Sequence, residues 1–414
     1  MKLFVGIRNL AQIRSQDEKI VSGSAMNILP NINNAWLSVK NGRIEDFGPE
    51  SELKKEDFKN YEIIDVEGRS ILPTYVDSHT HLVFAAWREK EFEDRINGLS
   101  YEEIANRGGG ILNSARQLTN MSEDNLYEDA KLRLNKLIQL GTGGIEIKSG
   151  YGLSLEAELK MLRVIKRLKQ TSPIPIKATF LGAHALPEAY KGRVDAYVEH
   201  VIRDILPKVV EEELADYIDL FCEKGYFNLD HCKAILDAGN LHGMRGKVHV
   251  NQFNILGGVQ ACVERNALSV DHLEEFNNQD LQALSLGNTL AVALPSCSFF
   301  LSLPYTPART IIDAGLPLVL ATDFNPGSTP SGNMNFVLSL ACLKMNMTPN
   351  EAINASTLNG AAALELNNEL GSITIGKRAN FIVTNPIESL ALIPYHFGGP
   401  VIDSVYINGE IFEA

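Results

Sequence analysis

Nothing in this chain is apolar for the length a bilayer requires, and the opening MKLFVGIRNLAQI lacks both a long apolar core and a small-residue cleavage site, so neither a membrane span nor a secretory signal is expected. A CxxC pair is also missing. The five cysteines, Cys222, Cys232, Cys262, Cys297 and Cys342, are scattered and odd in number, which argues against a disulfide framework and reads as reduced thiols in the cytoplasm. Positive charge is in deficit: 38 Lys and Arg against 51 Asp and Glu leave a net charge of −13. Such a surface repels phosphate backbones and anionic lipids, so no nucleic acid and no membrane partner is expected. Low-complexity tracts and fixed-period repeats are absent as well, which excludes a solenoid. What remains is an ordinary globular composition, 45% apolar and 21% charged, with ample material for a large core.

The two ends of the chain share a style. Residues 1–70 alternate apolar and polar positions, and AWLSVKNGRIEDFGP places Asn-Gly between two strand patterns. The C-terminal segment repeats this in GSITIGKRANFIVTN and VIDSVYINGEIF. We therefore expect 1–70 and 372–414 to meet in one small composite β-sandwich domain. Between them, 71–371 alternates short apolar runs with longer amphipathic stretches, the pattern of repeated βα units. Eight candidate strands can be counted: SILPTYVD, TGGIEIKS, IPIKATFL, YIDLFC, GKVHVN, ALSVDH, TLAVAL and PLVLATD. The expected fold class is α/β, a (β/α)8 TIM-like barrel carrying the small β domain.

Polar residues fall at the carboxyl ends of these strands. His79 and His81 follow the first, Lys148 ends the second, His184 follows the third, His249 lies in the fifth, His272 closes the sixth and Asp323 the eighth. Barrel enzymes place their chemistry at that face, so these side chains should converge. His-x-His at strand period points two imidazoles to one side, and with His249 and Asp323 it makes a plausible metal set. Three imidazoles and a carboxylate suit one divalent metal, zinc or iron, which would lower the pKa of a bound water towards roughly 7.

VDSHTHL, the histidine of VHVNQF, DHLEE and ATDFNPGS resemble the amidohydrolase superfamily. Within it, EIKSGYGL (146–153), LGAHALP (181–187) and TDFNPGSTP (322–330) resemble the imidazolonepropionase family, and the resemblance spans essentially the whole chain. It implies hydrolysis of the cyclic amide of 4-imidazolone-5-propanoate to N-formimidoyl-L-glutamate in histidine degradation. It also implies that His79, His81, His249 and Asp323 bind the metal, that Arg88 pairs with the substrate carboxylate, and that Tyr151, His184, Asn325, Gly327 and Ser328 contact substrate. From the residues alone Arg88 could be a surface charge, Tyr151 packing, His184 a core histidine and Asn325-Pro326-Gly327 a turn. Lys148 is expected to be uncarboxylated, ordering loops or pairing with Glu146.

One position departs from the family pattern. Relatives usually carry a glutamate three residues after the strand-five histidine, whereas this chain has Gln252, which can orient substrate but cannot accept a proton. Asp323 is then the first candidate for moving protons and His272 the second. The competing readings are another cyclic-amide hydrolase or deaminase of the superfamily, or a ligand-binding member that has lost catalysis. A homodimer is a candidate assembly, with no sequence feature that marks an interface.

Overall fold

The computed structural model describes residues 1–99, 103, 107, 109–397 and 399–413. The first five strands are β1 (Lys2–Ala11), β2 (Asn31–Lys40), β3 (Arg43–Pro49), β4 (Glu62–Asp65) and β5 (Ile71–Pro73). Eight short, almost entirely buried strands follow: β6 (Tyr75–Asp77), β7 (Thr142–Lys148), β8 (Ile176–Ala183), β9 (Tyr217–Cys222), β10 (Arg245–Val250), β11 (Ser269–His272), β12 (Leu290–Ala293) and β13 (Leu318–Leu320). The chain ends with β14 (Phe381–Thr384), β15 (Ile402–Ile407) and β16 (Glu410–Ile411).

The terminal strands form one sheet in the order β16-β15-β14-β5-β1-β2-β3, with β4 pairing alongside β1. Both Asn-Gly dipeptides make the expected tight turns. Asn41 and Gly42 stand at φ +52° and +74°, and Asn408 and Gly409 at +52° and +77°, the consecutive positive values that a two-residue hairpin requires. This sheet has its own apolar core, in which the rings of Phe4, Phe381 and Tyr406 pack at centroid separations of 5.0 Å.

The strands β6 to β13 pair in sequence order, all parallel, and make the expected barrel. Its last seam is closed beyond the ladders. An isolated parallel bridge joins Thr80 to Phe324, Asp323 N donates to His79 O at 3.0 Å, and His81 N donates to Phe324 O at 2.8 Å. Below these, the Asp77 carboxylate accepts from Thr322 N and Oγ1 at 3.0 and 2.6 Å.

Two strand expectations need correction. SILPTYVD is two strands in two sheets: Ile71–Pro73 pairs with β1 and β14, and only Tyr75–Asp77 enters the barrel. An unbroken apolar run carries no mark of which sheet its successive residues join. The eighth strand is also shorter than PLVLATD, ending at Leu320, so Asp323 sits past the strand in the closing segment. Among the described residues no helix is long and apolar enough to cross a membrane.

Candidate active site and metal centre

The carboxyl ends of the barrel strands bring His79, His81 and His249 together, one ligand nitrogen of each lying within 4.8 Å of the others. Asp323 closes the group, with Oδ1 3.5 Å from Nε2 of both His79 and His81. Its backbone is at φ +56°, a costly conformation for a non-glycine residue, imposed by the seam hydrogen bonds on either side. Two carboxylates that the sequence reading passed over orient the imidazoles. His79 Nδ1 meets Asp271 Oδ2 at 2.6 Å, and His249 Nδ1 meets Asp219 Oδ2 at 2.8 Å. In each ring the proton is thereby assigned to Nδ1 and Nε2 is left as a bare donor.

The fit to a cation can be judged from what the site leaves unpaired. His79 Nε2, which faces Asp323, is buried without a hydrogen-bond partner, a costly state for a polar atom unless something else binds there. Burial above all, and then the Lys148 ammonium and neighbouring imidazoles, holds the pKa of His79 and His249 well below the usual histidine range; for His81 burial and His184 act first. Neutral imidazoles around a carboxylate are the donor set of a divalent metal.

Beneath the histidines lies Lys148, fully buried. Its ammonium is 2.8 Å from Glu146 Oε1, 3.0 Å from Asp219 Oδ2 and 3.9 Å from Asp271 Oδ2. Burial opposes its charge, but Asp219, Glu146 and Asp271 outweigh that effect and keep the pKa above the ordinary lysine value. Lys148 touches the supporting carboxylates of two different histidines, a role beyond loop ordering.

Above the histidines opens a cavity of about 380 Å³, and every residue expected to contact substrate lines it. The Arg88 guanidinium is placed by Glu91, which accepts from Nε at 2.8 Å, and it lies against Gly327. A β-carbon at Gly327 would come 2.2 Å from Arg88 Nη1, so glycine there is what admits the guanidinium. His184 stacks on His81 with centroids 5.2 Å apart and has its pKa lowered to about 4, chiefly by burial; its Nδ1 bonds Gly150 O at 3.0 Å. Tyr151 packs beside both rings. Its loop is gathered by Glu158, whose carboxylate accepts from the backbone of Gly150, Gly152 and Leu153 at 3.1, 2.7 and 2.9 Å.

Asn325 spends its carboxamide inside its own loop. Oδ1 accepts from Gly327 N and Ser328 N, and Nδ2 donates to Asp323 O and Ser328 Oγ. Both expectations for this segment therefore have a physical basis: it is a turn, and the turn faces the cavity.

Comparison with known proteins decides the family. The amidohydrolase family pattern matches residues 229–412. Over 409 residues, 99% of this chain and 99% of each relative, it is 58% identical to the imidazolonepropionase of Christiangramia forsetii and 56% identical to that of Flavobacterium johnsoniae. The chain belongs to the imidazolonepropionase family. A more distant imidazolonepropionase, from Clostridium tetani, is 42% identical over 94% of this chain and 93% of its own. Solved structures share the fold at low identity. Guanine deaminase of E. coli superimposes with a TM-score of 0.73 at 14% identity, covering 100% of this chain and 98% of its own. For 5-methylcytosine deaminase of Klebsiella pneumoniae the values are 0.72, 16%, 98% and 98%.

In this member of the imidazolonepropionase family Gln252 lines the cavity, with Nε2 3.5 Å from Cys297 Sγ. The two residues expected to move protons also reach the cavity. Burial raises the Asp323 pKa to about 6 against the opposing influence of His272, Cys297 and Asn325. For His272 burial acts downward, yet the charge and hydrogen bond of Glu274, helped by Asp323 and Asp271, hold the pKa above the usual value. Among the residues that sequence reasoning missed are the carboxylates serving other site residues: Asp219, Asp271, Glu91, Glu158 and Glu274. For Asp219 and Asp271 there was a signal, an acidic residue inside an otherwise apolar strand pattern.

Proposed function

We propose that this metal-dependent hydrolase opens the ring amide of 4-imidazolone-5-propanoate with water to give N-formimidoyl-L-glutamate, a reading supported by relatives that carry the name imidazolonepropionase. The observation that carries the reading is the presence, in one cavity, of a neutral-imidazole cation site and an arginine prepared for a carboxylate. His79, His81, His249 and Asp323 would hold one divalent ion, zinc or iron, which supplies Lewis acidity that polarises a carbonyl and acidifies water.

The remaining roles belong to side chains. Arg88, set by Glu91, binds the propanoate through its planar fork, and the absence of a side chain at Gly327 leaves room for it. Tyr151 and His184 form an aromatic wall for the flat ring, with His184 neutral at pH 7. Gln252 offers a donor and an acceptor to the ring amide but no proton route. The Asp323 carboxylate takes the proton from the attacking water, and His272 returns one to the departing ring nitrogen; both line the cavity, burial raises the Asp323 pKa to about 6, and Glu274 raises that of His272 against the effect of burial. Ser328 and the backbone of the 325–328 turn hold the far edge of the ligand. The enzyme would act in the cytoplasm, where its free cysteines stay reduced, as a homodimer, the commonest symmetric assembly.

The test is to generate 4-imidazolone-5-propanoate in situ and follow N-formimidoyl-L-glutamate by mass spectrometry with metal-loaded and chelator-stripped protein. Metal-dependent product is expected. No product from protein shown to bind both metal and substrate would overturn the assignment.

A further inference from the structure

A second group of donors meets beside the first. Ligand atoms of His272, Glu274 and Cys297 lie within 4.8 Å of one another, and all three residues are buried. They come from two neighbouring units of the barrel. His272 ends β11, Glu274 follows two residues later, and Cys297 stands in the first turn of the helix Pro295–Leu301 after β12. His272 Nδ1 faces Glu274 Oε1 at 3.2 Å, and Ser298 Oγ donates to the same oxygen at 3.1 Å. The other oxygen, Glu274 Oε2, has no partner, although the side chain is 0% exposed. An unpaired buried carboxylate oxygen is costly, and here it adjoins a thiol and an imidazole.

We propose that His272, Glu274 and Cys297 form a second cation site, distinct from the four-residue centre, that takes up a thiophilic divalent ion of the zinc or cadmium kind. The donor set selects the ion. One sulfur, one nitrogen and one oxygen suit zinc or cadmium and disfavour magnesium and calcium, which require oxygen ligands. Bond lengths of about 2.0 Å to nitrogen and oxygen and about 2.3 Å to sulfur place tetrahedral ligands roughly 3.3–3.5 Å apart, so the trio needs little movement to close on an ion. Gln252 and His272 line the cavity, and Gln252 Nε2 touches Cys297 Sγ, which gives an ion a route in from the substrate side. On binding, the Cys297 S–H bond breaks and the proton on His272 Nδ1 is displaced, sulfur–metal and nitrogen–metal bonds form, and the released protons leave to solvent.

Occupancy consumes groups needed elsewhere. The ion takes His272 Nδ1 and the Glu274 carboxylate, ending their 3.2 Å contact, and it takes up the Cys297 thiol that stands beside Asp323. An excess of the ion therefore inhibits. Binding at the trio does not depend on the hydrolase reading; the inhibition does.

The experiment titrates cadmium or zinc into protein already holding one equivalent of metal, counting bound ion by elemental analysis and following the thiolate-to-cadmium charge-transfer absorption. Wild type is expected to take a second equivalent with appearance of the band. In Cys297→Ser the band should vanish, and loss of a direct ligand should weaken the second site by at least the roughly 10–100-fold that loss of an outer-shell partner costs. Glu274→Gln, read by elemental count, serves the same purpose if the cysteine variant does not fold. In the hydrolysis assay the inhibiting zinc concentration should rise by the same factor in the variants. Saturation of wild type at one equivalent, or a band that survives in Cys297→Ser, overturns the site. A second equivalent without inhibition overturns the inhibitory role alone, and failure of hydrolysis in every sample leaves the count and the band to decide the site.

Discussion

Replacement of Lys148 by methionine tests the support beneath the histidines. The side chain is fully buried, and its ammonium lies 2.8, 3.0 and 3.9 Å from three carboxylates that are themselves wholly buried. Methionine fills most of the volume but leaves those carboxylates facing one another without their shared cation. Breaking a buried pair from one side costs about 3–5 kcal/mol, a large part of a typical domain stability of about 5–15 kcal/mol. Because Asp219 and Asp271 also orient His249 and His79, metal affinity should fall by about 10–100-fold. The assays are urea unfolding of the stripped protein and competition with a chromophoric chelator. A Glu146→Gln change on top of Lys148→Met removes one of the stranded charges, so the double variant should recover part of the lost stability. Lys148→Met within about 1 kcal/mol of wild type, with unchanged metal affinity, would refute the reasoning.

Arg88→Ala should lower kcat/KM by about 10²-fold, from loss of a charge-assisted pair of about 1.5–3 kcal/mol, with metal content unchanged; steady-state kinetics with elemental analysis checks it. Gly152→Ala drives a β-carbon to 2.3 Å from Glu158 N, so the loop bearing Tyr151 must shift; a stability loss of about 1–3 kcal/mol is expected in urea unfolding. Lys377 is buried against Leu370 O and Ser372 Oγ, and burial lowers its pKa to about 8. Its folded pKa lies below the unfolded value, so the unfolded chain binds more protons between pH 8 and 10.5, and the cost of burying the charge is relieved across that window. Relative to Lys377→Met, wild type should gain about 2–3 kcal/mol as pH rises through it, measured by parallel denaturation curves.

Sequence showed the chemistry better than the framework that supports it. His79, His81, His249, His272 and Asp323 were legible because barrel strands deliver their ends to one face, so position along the chain translates directly into position in space. Their supports were not. Asp271 reaches His79 from β11 to the far side of β6, and nothing local records a pairing between residues 192 positions apart. Glu158 belongs to a stretch whose period reads as an amphipathic helix with charges outward, yet in the helix Leu155–Thr171 it turns inward to collect three backbone N–H groups. Asn325 could be seen as a turn or as a contact, and the two readings were not exclusive. The split of SILPTYVD between two sheets escaped for a related reason: burial on every side erases the alternation that would identify a strand's neighbours.

The strand order of the barrel starts at β6 and finishes at β13, and the chain immediately after β6 carries His79 and His81 while the chain after β13 carries Asp323. An ion shared by these residues would thus work as a buckle, fastening the first strand of the cylinder to the last. Stripping it should loosen the fit between the two ends of the belt first, so amides of 77–82 and 321–325 should exchange hydrogen faster while the middle strands keep their protection. Wear at that fastening would reach activity long before it reached the fold.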